Sequence, residues 1–204
     1  MLVRQKRKLF TLRLFLTFFI LFFFVCNFNH ALMIKLSLKK LCLGADAIIL
    51  GEVKEIQCQW SLDRSIILTI TTIQIHEILK GNFISNQVLI QYPGGEAGDI
   101  GLRVSDMPSF QPDEIVLVFL KPITDITNTK YSPTIALNAF CAFSMFGAAQ
   151  GKYSIDKNGI AHKSGYDLIS KAKEKDIFLP LAELKAKIKS ILERIPKKRE
   201  KIRE

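Results

Sequence analysis

The stretch that most suggests chemistry is YPGGEAGDIGLRV, residues 92–104, in which four glycines lie within eight residues. Glycine-rich stretches of this kind cradle phosphates, hold calcium or turn the chain between strands. A phosphate site requires Gly-x-Gly-x-x-Gly before a helix, or a Gly-Lys-Ser/Thr motif. Neither motif is present, the residues that follow have the pattern of a strand, and Glu96 and Asp99 repel an anion. The sequence therefore argues against a phosphate site.

Calcium matches the stretch better, because carboxylates and carbonyls are its preferred ligands. Glu96, Asp99 and Asp106 could supply carboxylates, but the Asp-x-Asp-x-Asp spacing is missing. We therefore predict no metal and no cofactor, and interpret the stretch as a connection between strands at a rim, where loops often carry binding. The predicted contact residues are Tyr92, Gly94, Gly95, Glu96, Asp99, Arg103 and Phe110.

Catalytic motifs are weak elsewhere in the chain. No Gly-x-Ser-x-Gly elbow is present. Cys141 and His162 make a conceivable nucleophile and base, so a thiol-dependent hydrolase is one alternative. Cys141 lies in the apolar stretch FCAF, however, and a buried structural thiol is inert. His76 and His162 are far apart with no third ligand in view, and no Cys-x-x-Cys pair occurs, so we predict neither a zinc site nor an enzyme.

Residues 1–31 have the pattern of a signal peptide. Basic residues at positions 4–8 precede an apolar run at 9–25, and Ala31 is the best cleavage position. The alternative is an uncleaved anchor that tethers the protein to a membrane, although the run at 14–28 is shorter than the ~20 residues of a spanning helix. Cys26 would be the lipidated residue of a lipoprotein. A lipoprotein signal has a small residue immediately before that cysteine, and Val25 is not small, so this alternative is disfavoured. The signal and the anchor both export the body, so we predict a periplasmic, cell-envelope or secreted protein.

The charge of +10 belongs to the ends of the chain. Residues 32–170 carry 12 Lys or Arg and 13 Asp or Glu, whereas residues 171–204 carry 12 bases and six acids. A nucleic-acid-binding domain is expected to have a basic face on its folded part. We therefore predict no nucleic-acid partner, and we interpret the basic end as a solvated helix and tail.

The body, residues 32–170, is rich in β-branched residues and predicts strands. The apolar face changes sides at Gly51 in the stretch 45–60, and again at Thr71-Thr72 in the stretch 65–79. Long strands whose buried face changes midway are what a small, strongly bent barrel requires. Helices are predicted at both ends: one at 35–43 that Gly44 ends, and an amphipathic one at 179–195. The fold class is therefore mainly β, an OB-like β-barrel with two flanking helices.

The remaining elements follow from shorter signals. The run 115–120, IVLVFL, is apolar on both faces and predicts a central strand. Strands are also predicted at 87–91 and 101–104, and Asn158-Gly159 predicts a hairpin turn. The stretch 132–146 is compatible with a loop or an irregular strand.

Four segments, ADAIILGEV, IHEILKG, YPGG…GLRVSDMPSFQPDEIVLVFL and GAAQGKYSI, together resemble a family of exported bacterial proteins of unassigned function. A more distant resemblance links Cys42, Ala45-Asp46 and Lys80-Gly81 to the netrin-module and tissue metalloproteinase inhibitor fold. That resemblance implies a five-stranded barrel in which the Ala-Asp pair opens the first strand and the Lys-Gly turn closes the second. The chain departs from the inhibitors because it lacks their dense cysteine set and their cysteine at the mature start.

The cysteines that remain after cleavage are Cys42, Cys58 and Cys141, an odd number that allows at most one internal disulfide. Their pairing stays open. The function expected from the sequence is a non-catalytic binding module of the cell envelope whose partner is an unidentified envelope or secreted protein. The alternatives are a metalloproteinase-inhibitor-like regulator and the hydrolase that uses Cys141 and His162.

Overall fold

A computed structural model describes residues 35–124, 130–137, 141–164 and 178–194 of the chain. The predicted signal segment at 1–31 and the tail after Arg194 lie outside the described residues, and so do all positions from 165 to 177. None of the helices in the described part is both long enough and apolar enough to cross a membrane.

The described chain forms ten strands and three α-helices, which confirms the mainly β class. The helices are α1 (Leu38–Gly44), α2 (Pro133–Leu137) and α3 (Leu181–Glu193). The strands are β1 (Ala47–Trp60), β2 (Ile67–Lys80), β3 (Gln87–Pro93), β4 (Gly95–Ala97), β5 (Ile100–Leu102), β6 (Ile115–Pro122), β7 (Ala142–Met145), β8 (Lys152–Ile155), β9 (Ile160–Lys163) and β10 (Phe178–Pro180).

Five strands are paired in a closed ring, in the order β1-β2-β3-β7-β6 and back to β1. All of these pairings are antiparallel except that of β3 with β7, which is parallel. The hairpin of β8 and β9, with β10 at its edge, extends the sheet from β6. A ring of hydrogen-bonded strands is the arrangement that the predicted barrel requires, and β6 has the central position expected of it.

The pairing of the two long strands is irregular near Gly51 and runs without a shift through Thr71-Thr72. The register shifts between Leu50 and Gly51, where β2 carries the extra residue His76, and again between Val53 and Glu55, where β1 carries the extra residue Lys54. A Cβ atom on Gly51 would lie 2.4 Å from the Gln74 carbonyl oxygen, so only glycine fits this close approach. The change of face predicted at Gly51 therefore coincides with a register shift and a close backbone approach.

Two cores lie on opposite sides of β1, because successive side chains of a strand point to opposite faces. The inner core fills the ring with Ile49, Val53 and Ile73 among its members. The outer core covers the other face of β1 and contains Ile48 and Leu50, against which the two longer helices pack. Burial of apolar side chains on both faces explains why β1 and β6 read as nearly continuous apolar runs.

Helix α1 differs from the prediction in the role of its glycine. Ser37 caps the N-terminus by accepting a hydrogen bond from the Lys40 backbone nitrogen, and the helix includes Gly44. A Cβ on Gly44 would lie 2.1 Å from the ring of Phe146, so close packing requires the glycine here. The Nζ of Lys80 donates to the carbonyls of Cys42 and Ala45 at the helix end.

Helix α3 begins and ends inside the predicted range, and Ile195 falls outside the described residues. Its buried side chains, Leu184 and Ile188, belong to the outer core, which confirms that the apolar stripe docks on the sheet. The β8–β9 hairpin turns at Gly159 with φ +75°, as the Asn-Gly signal predicts. The stretch 132–146 contains the short helix α2 and strand β7.

The Gly51→Ala substitution should lower the free energy of unfolding by about 1–3 kcal/mol, because the added methyl group meets backbone atoms that cannot turn away. Chemical denaturation measures the change. Gly101→Ala is the matched control, since its Cβ meets only Glu96 Cγ at 3.5 Å. The control should stay within ~0.5 kcal/mol of the unaltered protein. Equal stabilities for the two variants would contradict the close approach at Gly51.

Candidate functional site

The glycine-rich stretch forms a small β-hairpin made of β4 and β5. Glu96 lies opposite Gly101, and the hairpin turns at Gly98 with φ +66°. No helix follows, so the geometry that binds a phosphate at a helix N-terminus is absent from the described stretch 92–104. The interpretation as a turn between strands is confirmed, with the second strand ending at Leu102.

Two of the glycines let the hairpin lie directly on the β1–β2 pair. Gly94 and Gly95 have φ values of +117° and +115°. A Cβ on Gly95 would lie 2.5 Å from Cys58 Sγ and 2.6 Å from Thr69 Oγ1. The Thr69 hydroxyl donates to the Gly94 carbonyl over 2.7 Å. These predicted contact residues therefore hold the hairpin in place.

Tyr92 and Phe110, also predicted as contact residues, lie in the inner core. They are 8% and 5% exposed, and their ring centroids are 5.7 Å apart. Burial raises the pKa of the Tyr92 phenol, whose oxygen lies 3.5 Å from Thr71 Oγ1. Neither ring is open to a partner, so an aromatic surface at this rim is not available.

A buried lysine fixes the loop that carries Phe110. Lys152 Nζ lies 4.6 Å from the centre of the Phe110 ring and 2.8 Å from Glu114 Oε2, and it donates to the Ser109 carbonyl. Desolvation lowers the pKa of Lys152, and the hydrogen bond to Glu114 works in the opposite direction. A buried charge is costly unless it is paired in this way, so this contact network is structural.

The remaining predicted residues, Glu96, Asp99 and Arg103, are exposed on or just after the hairpin. In the part of the chain that the structure describes, no three His, Cys, Asp or Glu side chains come together as a metal site. Glu96, Asp99 and Asp106 are thus not assembled as calcium ligands there. The hairpin presents dispersed charges on its surface.

The structure does not bring Cys141 and His162 together. His162 is on β9, which pairs with β8, and β8 in turn pairs with β6 near Val116. Cys141 comes just before β7, which pairs with the other end of β6, near Pro122. Those two ends are about 20 Å apart along an extended strand. A nucleophile and its base need contact at about 3 Å. His162 Nε2 lies instead 3.0 Å from Asp156 Oδ2.

No disulfide joins the cysteines of the described ranges. Cys42 is buried in the outer core, and that burial raises its pKa to about 11. Burial also raises the pKa of Cys141. Cys58 is exposed, close to Thr69 and Gly95.

A groove of about 620 Å³ lies at the end of the β1–β2 pair, and the sequence analysis did not identify it. It runs between the turn that joins β1 to β2 and the start of α2. Its described lining consists of Gln59, Trp60, Ser61, Leu62, Arg64 and Pro133. Clefts of this volume are typical of ligand sites. We call it the Trp60 groove.

Hydrogen bonds join the two walls of the Trp60 groove. The Leu62 backbone nitrogen donates to the Tyr131 carbonyl over 3.0 Å, and Gln59 Nε2 donates to Thr134 Oγ1 over 2.8 Å. Ile135, one residue further on in α2, is fully buried against Ile70. The wall contributed by residues 131–135 is therefore attached to the ring on both sides of the groove.

The turn between β1 and β2 is held by Asp63. Its Oδ1 accepts from the hydroxyls of Ser61 and Ser65, over 2.6 and 2.7 Å, and from the Ser65 backbone nitrogen over 3.0 Å. These hydrogen bonds, that of Ser61 first, lower the pKa of Asp63 to about 2. Arg64 follows with φ +54° and is one of the residues that line the groove. In the sequence, the Asp63-Arg64 pair indicates only a turn.

No protein-family model matches this chain, and no curated protein matches it either. The resemblances to exported bacterial proteins and to the netrin-module fold stay predictions. Asp46 stands just before β1, and Lys80 is the last residue of β2, followed by Gly81 with φ +95°.

The Asp63 carboxyl should titrate near pH 2, and Ser61→Ala should raise its pKa toward the ordinary value of 3.8. Because the folded pKa is depressed, the stability it contributes is present above pH 3.8 and is lost as the pH falls through about 2. Carbon-detected NMR of the carboxyl group measures the titration. Ser105→Ala, an exposed change outside the turn, should leave it unaltered. An ordinary pKa in the unaltered protein would contradict the turn geometry.

Maleimide labelling of the native full chain, mapped by mass spectrometry of its peptides, should modify Cys58 at least tenfold faster than Cys42. Exposure favours the reaction at Cys58, whereas a pKa of about 11 leaves almost no thiolate at Cys42 near pH 7. Cys141 should also react more slowly than Cys58, because burial raises its pKa. Labelling of Cys141 ahead of Cys58 would contradict this order and would revive the hydrolase hypothesis.

Proposed function

We propose that the protein is a non-catalytic binding module of the cell envelope that holds an envelope or secreted protein in the Trp60 groove. The observation that carries the proposal is the groove itself, because its two walls are joined by hydrogen bonds without filling the space between them. A site that is already formed loses little entropy when it binds. The exposed hairpin residues Glu96, Asp99 and Arg103 form a second, more polar surface on the same protein.

The place of the groove in the ring supports the proposal. Counted along the chain, the five ring strands are β1, β2, β3, β6 and β7. The groove lies between the connection from the first to the second strand and the connection from the fourth to the fifth. Barrels of the OB type bind oligonucleotides and oligosaccharides with these same two connections, so the position supports binding and the side chains of the lining determine the kind of ligand. The arrangement favours binding over catalysis, since Ser61, the hydroxyl residue among the described lining residues, is buried and its hydrogen bond to Asp63 holds the turn.

The side chains at the groove support a protein partner. Trp60 is half-buried and Leu62 is 48% exposed, beside the exposed ring of Pro133. Aromatic and arginine side chains supply much of the binding energy at protein interfaces. The groove offers Trp60 and Arg64 next to each other on a turn that Asp63 holds rigid.

A protease regulator of the inhibitor type is a special case of this proposal, in which the partner is a protease. The observation that favours it is the position of Asp46 before β1 and of Lys80-Gly81 after β2, where the netrin-module resemblance expects them. The identity of the captured partner separates the two cases.

A photo-crosslinking residue at Leu62 should form a discrete product with one partner in intact cells. The same residue at Ile84, which is 92% exposed in the connection from β2 to β3, is the matched control and should form none. Trp60→Ala should reduce the Leu62 product at least tenfold, as expected for an aromatic anchor.

Two results would contradict the proposal. The first is the absence of any product from Leu62. The second is a product that survives Trp60→Ala but is lost in the double variant Glu96→Lys/Asp99→Lys, which would place the contact on the hairpin.

A further inference from the structure

We infer that the ligand of the Trp60 groove is an extended peptide segment in which an acidic residue stands between apolar ones. The inference rests on the proposed function, because it names the ligand class of the same groove. It follows from three features of the lining: its apolar surface, the engagement of its polar atoms, and one cation that no described carboxylate neutralises.

The apolar surface comes from three side chains. Trp60 and Leu62 stand on β1 and its turn, and Pro133 faces them from the start of α2. Leu62 is 48% exposed, although its backbone is held by the hydrogen bond to Tyr131. Large apolar side chains that are fixed and exposed around a concave space are typical of a docking site. They favour a ligand with aliphatic or aromatic side chains.

Two of the uncharged polar side chains of the lining already hold its walls. Gln59 donates its amide nitrogen to Thr134 Oγ1, and the Ser61 hydroxyl donates to Asp63. The Ser61 oxygen also accepts from the backbone nitrogens of Ser65 and Ile66, each over 3.2 Å. A saccharide needs hydrogen-bond partners for its many hydroxyls, and of these two side chains only Gln59, through its remaining amide atoms, could still supply them. The lining therefore disfavours a saccharide.

Arg64 supplies the charge. It is the single charged residue among the six described lining residues, and no ion pair engages its guanidinium within the described ranges. The neighbouring Asp63 directs Oδ1 into its own turn, where it accepts three hydrogen bonds. A guanidinium binds a carboxylate through two parallel hydrogen bonds. A nucleic acid would need several such cations, so one carboxylate between apolar side chains fits best.

The chain contains a single tryptophan, and it is Trp60. Its fluorescence therefore reports directly on the groove. The probes are two pools of blocked pentapeptides, Gly-X-Glu-X-Gly and Gly-X-Gln-X-Gly, in which X is an equal mixture of Leu, Val and Phe, together with trigalacturonate as an acidic saccharide. Each is titrated into the full chain in mild detergent while the tryptophan emission is recorded.

The Glu pool should shift the emission saturably, with an affinity at least tenfold higher than that of the Gln pool. Arg64→Asn removes the cation and keeps a residue type that tolerates a positive φ, and it should abolish the difference between the two pools. Ile84→Ser, the control far from the groove in sequence, should keep that difference. The preference should also weaken as salt is raised, because an exposed ion pair is screened.

Equal affinity for the two peptide pools, or tighter binding of trigalacturonate, would overturn the inference about the ligand class. The same conclusion follows if no probe shifts the emission while the Leu62 crosslink of the preceding section forms, since the groove then binds a partner of other chemistry. If neither the crosslink nor any shift is observed, the proposed function fails together with the inference.

Discussion

The whole structure depends on the ability of β1 to pair with two strands at once while it bends. Its first half, Ala47–Glu52, is hydrogen-bonded to β6 on one side and to β2 on the other, whereas its second half pairs with β2. A straight strand cannot remain in register with both partners around a ring of five. The register of β1 against β2 shifts at Gly51, and the absent side chain there lets the Gln74 carbonyl approach.

Closure of the ring determines which elements contact each end of the β1–β2 pair. One end meets α1, where Lys80 donates to the last carbonyls of the helix. The other end projects past β6, whose pairing with β1 stops at Glu52. There the glycine hairpin lies on Cys58 and Thr69, and the wall from residues 131–135 meets the turn. A concave space forms at this end because the elements that approach it are attached to the ring.

The chemistry of the candidate site follows from which polar groups the fold has already used. The carboxylate of Asp63 and the hydroxyl of Ser61 hold the turn, and Gln59 holds the opposite wall. The remaining lining residues are the apolar side chains and Arg64. By contrast, the glycines of the hairpin allow it to pack closely on the sheet, and the aromatic rings beside the hairpin lie in the inner core. We propose that the groove binds the partner and that the hairpin has a structural role.

The sequence by itself determined the local features. The change of face at Gly51, the change of face in β2, the central strand at 115–120 and the turn at Gly159 are each signalled within a few residues, because alternation and backbone φ are local properties. Only the tertiary structure decided which residues are available to a partner. Tyr92 and Phe110 looked like rim aromatics and are buried, since the loop at 105–114 folds onto the inner core through Lys152. The groove could not be predicted, because Trp60 and Pro133 are separated by more than seventy residues and only ring closure brings them together.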